Sequence, residues 1–361
     1  MSNTQPTYQL YCGVDIAACS FSAALIVPDG SARPEPLSAQ NFEQTPQSYA
    51  HFVQHLSKQG VAAARVLVVM EATGTYWLNL ALYLHDAGLG VSVINPSQMR
   101  DFARSLLLKP KTDPLDAQIL ARLAYAHQPT QWSPPPPLYH ELYQRLSQRD
   151  SLIELRTLVS NQLEALSYHP YAVEAVLAQK KELVATFNRQ IKQLEQELEA
   201  LVSDQSEGWA ASVTLLQTIP GIGLLSACWL VCLTLNFSSC PSSASLVQYA
   251  GLAPTERSSG TSVRKHPMLG HGGNRRLRQA MYMCALSAMR YNPAVQVYVE
   301  RLRAQKRKGR EICCAVGRKL LQLAYGVVKR GEAFDPTWHS LDAAQKRAKR
   351  DQNQKVEALA S

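Results

Sequence analysis

Four carboxylates occupy places where a carboxylate is costly or conspicuous. Asp15 interrupts the apolar run LYCGVDIA, and Glu71 follows Val-Val-Met directly. A carboxylate inside a strand is poorly tolerated unless a metal or another cation answers it. Asp113 and Asp116 stand three residues apart in Lys111-Thr-Asp113-Pro-Leu-Asp116, where a helix begins, so both can face the same way. Taken singly, each reads equally as a cap or a surface acid, Asp113 before Pro114 above all. Taken together, four hard oxygen donors suit Mg²⁺, or Mn²⁺ in its place. Such an ion neutralises phosphate oxygens and the charge that builds during phosphodiester transfer.

The elements that must position these acids can be read from local patterning. Two apolar runs, LYCGVDIA and FSAALIVP, end at Pro28-Asp29-Gly30 and predict a hairpin. A helix around 46–58, a buried strand at 66–70, a helix at 76–87, a strand at 91–94 and helices around 97–107 and 114–126 follow. Strands alternating with helices indicate an α/β domain. The run Trp132-Ser-Pro-Pro-Pro-Pro137 cannot continue a helix and marks a boundary.

Beyond it, apolar residues recur at Leu142, Leu146, Ile153, Val159, Leu163 and Leu166. After His169-Pro170 they recur at Leu183, Phe187, Ile191, Leu194, Leu198 and Leu201. Steps of mostly three and four predict a long antiparallel helical hairpin, either a dimerising coiled coil or two helices packed on a neighbouring domain. From Val213 onward the chain reads as helical. Leu216-Gln-Thr-Ile-Pro-Gly221-Ile-Gly223 has a helix-hairpin-helix form, in which Gly221 and Gly223 would let backbone N–H groups approach a phosphate. A plain Pro-Gly turn is the alternative. The expected division is a metal domain at 1–130, a linker and helical hairpin at 131–208, a mostly α-helical domain at 209–340 and a polar basic tail at 341–361.

Charge is distributed unevenly along the 361 residues. Residues 1–130 carry 8 basic and 9 acidic groups, residues 131–210 carry 7 and 11, and residues 211–361 carry 22 and 8. The positive excess therefore lies in the last part, which points to a polyanion. Arg275, Arg276 and Arg278 form one basic cluster; Arg301, Arg303, Lys306, Arg307, Lys308 and Arg310 form another, with no acid among them. Phosphate contact is the role that fits, since no base-reading motif is evident. The longest apolar run, Ile222 to Leu235, is too short and too interrupted to span a bilayer, so no membrane role is expected. The eight cysteines form no CxxC pair and read as reduced core thiols of a cytoplasmic protein.

YCGVDIA, VVMEATGTYW, VSVINPSQMRDFA and KTDPLDAQILA resemble, in order and spacing, the DEDD signature of a family of insertion-sequence transposases. The first domain of that family is similar to the Holliday-junction resolvase RuvC. The resemblance implies an RNase H-like fold and metal ligation by Asp15, Glu71, Asp113 and Asp116. LLQTIPGIG, QYAGLAPTERSSGTSVR and GGNRRLRQAMYMCA resemble the family's transposase domain, where a serine directly before glycine is the nucleophile. Ser259, before Gly260, matches that position, and Ser258 is its neighbour. Read without the resemblance, ThrGluArgSerSerGlyThrSer is equally a polar loop, though Arg257, Arg264 and Lys265 could hold a phosphate beside it. One departure is Leu269-Gly-His-Gly-Gly273 where many relatives have Ser-Lys-x-Gly, so that a lysine's role falls to His271 or Arg275 or is dispensable.

The family resemblance implies a recombinase that joins donor and target DNA through a covalent phosphoserine, guided by a structured non-coding RNA. The helical hairpin, read as a dimerising coiled coil, leads to the expectation of a nucleoid-associated homodimer that pairs into a tetramer on synapsis. In such an assembly the serine of one subunit could meet the acids of another. A guide-free invertase of the same family, a metal-dependent nuclease of the resolvase type and a non-enzymatic nucleic-acid scaffold are the alternatives.

Overall fold

The computed structural model describes residues 8–31, 34–72, 74–106, 113–203, 208–259, 263–269 and 272–336. The chain divides into two compact units, Met1–Pro134 and Pro135–Ser361. The basic tail expected at 341–361, Gly260 and His271 lie outside the described residues.

The first unit runs β1 (Leu10–Ile16), β2 (Ser20–Ile26), β3 (Gln40–Glu43), α1 (Pro46–Ser57), β4 (Val66–Glu71), α2 (Trp77–Asp86), β5 (Gly90–Ile94), α3 (Pro96–Ser105) and α4 (Asp113–His127). Its five-stranded sheet has the order β3-β2-β1-β4-β5. The first three strands form an antiparallel meander, and β4 and β5 extend it parallel to β1. That order and pattern of directions is the RNase H-like fold that the family resemblance implies. Strand alternation divides the core. Leu10, Cys12, Val14, Val68 and Met70 face one layer with Phe52, Leu80 and Leu84, while Tyr11, Leu67, Val69 and Ile94 face another with Ala117, Leu120 and Ala121. After α4 the chain covers the β5 edge, where the Trp132 N–H donates to Val91 O at 2.7 Å. Sequence patterning passes over β3, whose four residues are mostly exposed and carry too little alternation to register.

The second unit begins with α5 (Pro137–Ser167) and α6 (Glu174–Ser203). Arg145 with Glu197, Arg149 with Glu195, Arg156 with Asn188, and Lys180 with Gln162 pair at 2.7 to 3.2 Å. The partners run in opposite directions, so these pairs set the register of the antiparallel hairpin expected from sequence. Helices α7 (Gly208–Gln217), α8 (Leu224–Thr234) and α9 (Ser243–Tyr249), strands β6 (Pro254–Ser259) and β7 (Val263–Leu269), then α10 (Arg275–Tyr291), α11 (Pro293–Ala304) and α12 (Gly309–Arg330) complete it. The apolar run that is too short for a membrane becomes α8, with Ala227 through Cys232 all buried. A helix apolar all round belongs at the centre of a core, and α8 lies there among Leu216, Met281, Leu320 and Ala324. Among the described residues no helix is long and apolar enough to cross a membrane.

The part after Val213 is mostly α-helical as expected, and one stretch within it, read from sequence as a polar loop, differs. β6 and β7 pair antiparallel, with Arg257 opposite Lys265, Ser258 opposite Arg264 and Ser259 opposite Val263. The supposed polar loop is therefore mostly strand. Its polar residues show no apolar alternation, which is the signal that sequence reading depends on.

Candidate active site

The four acids are gathered by one register and one close approach. Gly13 pairs with Val69 and Val14 with Met70, so the next step along the two parallel strands brings Asp15 beside Glu71. Both point to the face that α4 covers. A β-carbon added at Gly13 would stand 2.1 Å from Ala121 N and 2.2 Å from Ala117 O. Only a glycine lets the α4 backbone lie directly on β1, two residues before Asp15 on the same face. Asp113 and Asp116 occupy the first turn of α4, Asp113 exposed and Asp116 buried.

Their electrostatics follow from that packing. Burial, then the charges of Asp116, Asp113 and Glu71, push the Asp15 carboxyl up from 3.8 to about 6, against a backbone hydrogen bond at Ile16. All three other acids thus act on Asp15 through space. As the side chains lie, no group of three or more His, Cys, Asp or Glu among the described residues stands at metal-holding distance. The donor chemistry fits a hard divalent cation all the same. It is oxygen-only, and the half-buried anion at its centre has carboxylates as neighbours where a cation would relieve it.

Sequence reasoning missed Gln44. Its Nε2 donates to Ala17 O and to Tyr76 O, each at 3.2 Å, and its Oε1 accepts from Tyr49 Oη at 2.6 Å. One amide thus ties the turn after Asp15 to the loop after Glu71. A lone Gln after a short edge strand carries no sequence signal of that role.

The second candidate centre is the β6–β7 hairpin, where Ser259 is the last residue of β6. Comparison with known proteins covers both stretches of sequence. Residues 12–170 match a family model described as a transposase with the DEDD signature, and residues 213–300 match the model of the transposase IS116/IS110/IS902 family. The pilin gene-inverting protein of Moraxella bovis is 32% identical over 337 residues, 91% of this chain and 98% of that protein. The chain belongs to the IS116/IS110/IS902 transposase family. The Moraxella lacunata pilin gene-inverting protein is likewise 32% identical, over 338 residues. An uncharacterized 43.6 kDa protein of insertion element IS110 from Streptomyces coelicolor is 33% identical over 122 residues, 34% of this chain and 30% of that one. Among solved structures, Thermus thermophilus RuvC is 14% identical and covers 32% of this chain and 93% of its own, with a TM-score of 0.25.

The arginines of this transposase's GGNRRLR stretch have different surroundings. Arg275 is exposed. Arg276 lies 4.6 Å over the Trp229 ring and pairs with Asp150 at 2.5 Å. Arg278 Nη1 donates to Gly272 O at 2.7 Å. The two glycines of the helix-hairpin-helix form also differ. Gly221 has φ +108°, and a β-carbon there would stand 2.6 Å from Ala288 Cβ, so contact with α10 accounts for it. Gly223 is the N-cap of α8, with open space where a side chain would be. Arg257 and Lys265 are cross-strand partners in the hairpin, and Arg264 sits opposite Ser258.

Proposed function

We propose that this transposase is a site-specific DNA recombinase that cuts and rejoins strands through a covalent phosphoserine at Ser259, with Mg²⁺ assistance. Ser259 Oγ attacks the scissile phosphorus, the serine proton is lost to solvent, and a deoxyribose oxygen leaves and takes a proton from solvent to become a hydroxyl. In rejoining, a hydroxyl of another strand attacks the ester and Ser259 recovers its proton. One phosphodiester is broken and one is made, so no nucleotide hydrolysis is needed, and the chain contains no GxxxxGK[ST] motif. Arg257, Arg264, Lys265 and Arg275 hold the phosphate backbone. Mg²⁺ bound by Asp15, Glu71, Asp113 and Asp116 would supply the positive charge that offsets charge on the transferring phosphate.

The observation that carries the metal half is the setting of Asp15, whose carboxyl is pushed up by burial first and then by the charges of Asp116, Asp113 and Glu71. Family membership supports the recombination half. The test is to trap a protein–DNA adduct: it should disappear in Ser259→Ala and persist in Ser258→Ala. DNA cut with no adduct at all would leave the hydrolytic nuclease reading, and an adduct that survives Ser259→Ala would put the covalent bond on a residue other than Ser259. Self-association through α5 and α6 is part of the proposal, and the exposed Leu155 and Leu158 on α5 support it.

Guidance by a structured RNA is the further part of this reading, favoured because no base-reading motif is evident in the sequence. Guide-free inversion is the second reading, and identity to the pilin gene-inverting proteins along 98% of their length favours it. Sequencing the RNA that travels with the purified protein separates the two. A discrete RNA encoded beside the gene supports guidance, and random fragments support inversion without a guide.

A further inference from the structure

The β6–β7 hairpin leaves and rejoins the second unit through a clasp built from the chain on either side of it. Gly251 has φ +67°, and a β-carbon there would stand 2.2 Å from both Gly272 O and Arg278 Nη1. Gly273 has φ +86°, and a β-carbon there would stand 2.4 Å from Gly251 N and 2.6 Å from Gly251 Cα. The two segments are thus in backbone contact at a spacing that only glycines allow on both sides. The Asn274 N–H donates to Tyr249 O at 2.7 Å, and Asn274 Nδ2 donates to Tyr249 Oη at 3.1 Å. Tyr249 Oη donates in turn to Leu233 O at 3.2 Å, tying the clasp to the end of α8. Arg278 closes it from α10 with its 2.7 Å bond to the Gly272 carbonyl, a charge-assisted contact.

From this geometry we infer that Arg278 is a positioning residue that fixes the root of the hairpin, and that its task is not phosphate contact. The inference rests on Ser259 as the nucleophile. Ser259 lies five residues beyond the first residue of β6, roughly 17 Å along an extended strand. A tilt of about 10° at the root would swing the strand end by about 3 Å, and a misplacement of about 1 Å at a reacting atom can cost about a hundredfold in rate. A root held by two glycines in contact, a Tyr–Asn bond and an arginine on a carbonyl removes that freedom. Sequence reading assigns all three arginines of the stretch to phosphate because their charge is visible and their partner, a backbone carbonyl, is not.

The test compares Arg278→Gln with Tyr249→Phe, which alters the same clasp without changing charge. Three properties of the full-length protein are measured: adduct formation on a duplex carrying the DNA that flanks the chain's own gene, affinity for random-sequence duplex as a function of salt, and hydrogen exchange of the β6 and β7 amides. Both variants should form adduct about tenfold more slowly or worse, with duplex affinity and its salt slope unchanged and with faster exchange along both strands. Arg278→Lys, which keeps a donor for the carbonyl, should recover much of the rate. The inference is overturned if Arg278→Gln weakens duplex binding and lowers the salt slope by about one while Tyr249→Phe behaves as wild type. Unchanged strand exchange in both variants overturns it as well. If the wild type forms no adduct, or Ser259→Ala still does, the serine reading fails, and the exchange measurement alone decides the clasp.

Discussion

Asp15 shows what a single residue reveals when its surroundings disagree with its chemistry. Its carboxyl is held at about 6 where 3.8 is ordinary, so the native state binds that proton more tightly than the unfolded chain does. The stability this contributes is complete below about pH 4 and is lost as pH rises through about 6. At neutral pH the metal-free protein therefore carries a destabilising charge. Asp15→Asn should stabilise it there by about 1 kcal/mol, once screening around a half-buried group is allowed for. The same substitution should weaken the extra stability that Mg²⁺ or Mn²⁺ gives the wild type. Melting curves across this pH range, with and without metal, check both; an Asn variant less stable than wild type at neutral pH would contradict the reading. Asp150 and Arg276 make a related case. Burial pushes the Asp150 carboxyl up although Arg276 and Arg149 pull it down, and burial pushes the Arg276 guanidinium down although Asp150 opposes it. Desolvation thus outweighs attraction on both sides of a 2.5 Å pair. Removing either partner alone should cost about 2 kcal/mol, whereas Asp150→Leu with Arg276→Met should come within about 1 kcal/mol of wild type in denaturant titration.

Elements convert such residues into a site, and Gly13 is where the conversion is most exposed to test. With α4 backbone atoms 2.1 and 2.2 Å from the place of a β-carbon, Gly13→Ala must displace the helix that carries Asp113 and Asp116. Overpacking of this kind costs about 3 kcal/mol, and it should also abolish stabilisation by metal, because two of the four oxygen donors move with α4. A variant that keeps wild-type stability and metal response would show that β1 and α4 do not need this contact. The same elements explain how much could be read beforehand. Both strands that carry acids announce themselves through apolar runs, and, β3 aside, the order β1 to α4 follows from alternating periods, so the elements that carry the four acids were legible. The edge strand β3 was not, since an exposed four-residue strand has no buried face to pattern. The β6–β7 hairpin was hidden for a related reason: its polar residues match a loop composition, and cross-strand pairing leaves no mark on composition. Gln44 was invisible because its partners are the carbonyls of Ala17 and Tyr76, which every sequence has.

For the molecule as a whole, charge separates what the fold combines. Residues 211–361 hold 22 basic and 8 acidic groups, while residues 1–130 hold 8 and 9. An acid-bearing domain of nearly neutral charge gains little attraction for DNA from its own side chains, and the cation it lacks is the one its oxygen donors suit. Long-range attraction should then come from the second unit. Within it, Arg276 in its pair with Asp150 and Arg278 on its carbonyl are partly buried and already partnered, whereas residues 303–311 at the turn from α11 to α12 are all exposed. Lys306, Arg307 and Lys308 lie at the centre of that stretch, and among the described residues only Arg307 has an ion pair there, a long one at 3.8 Å to Glu311. Replacing all three with Gln should weaken binding to random-sequence and specific duplexes by similar factors, because phosphate contacts carry no sequence information. The slope of log affinity against log salt should become shallower by roughly 3, close to 0.9 for each phosphate contact removed. Titration of one labelled duplex over a range of salt measures this. A change in slope near zero would mean that the exposed basic turn serves something other than the DNA backbone, and a loss confined to one sequence would mean that it reads bases.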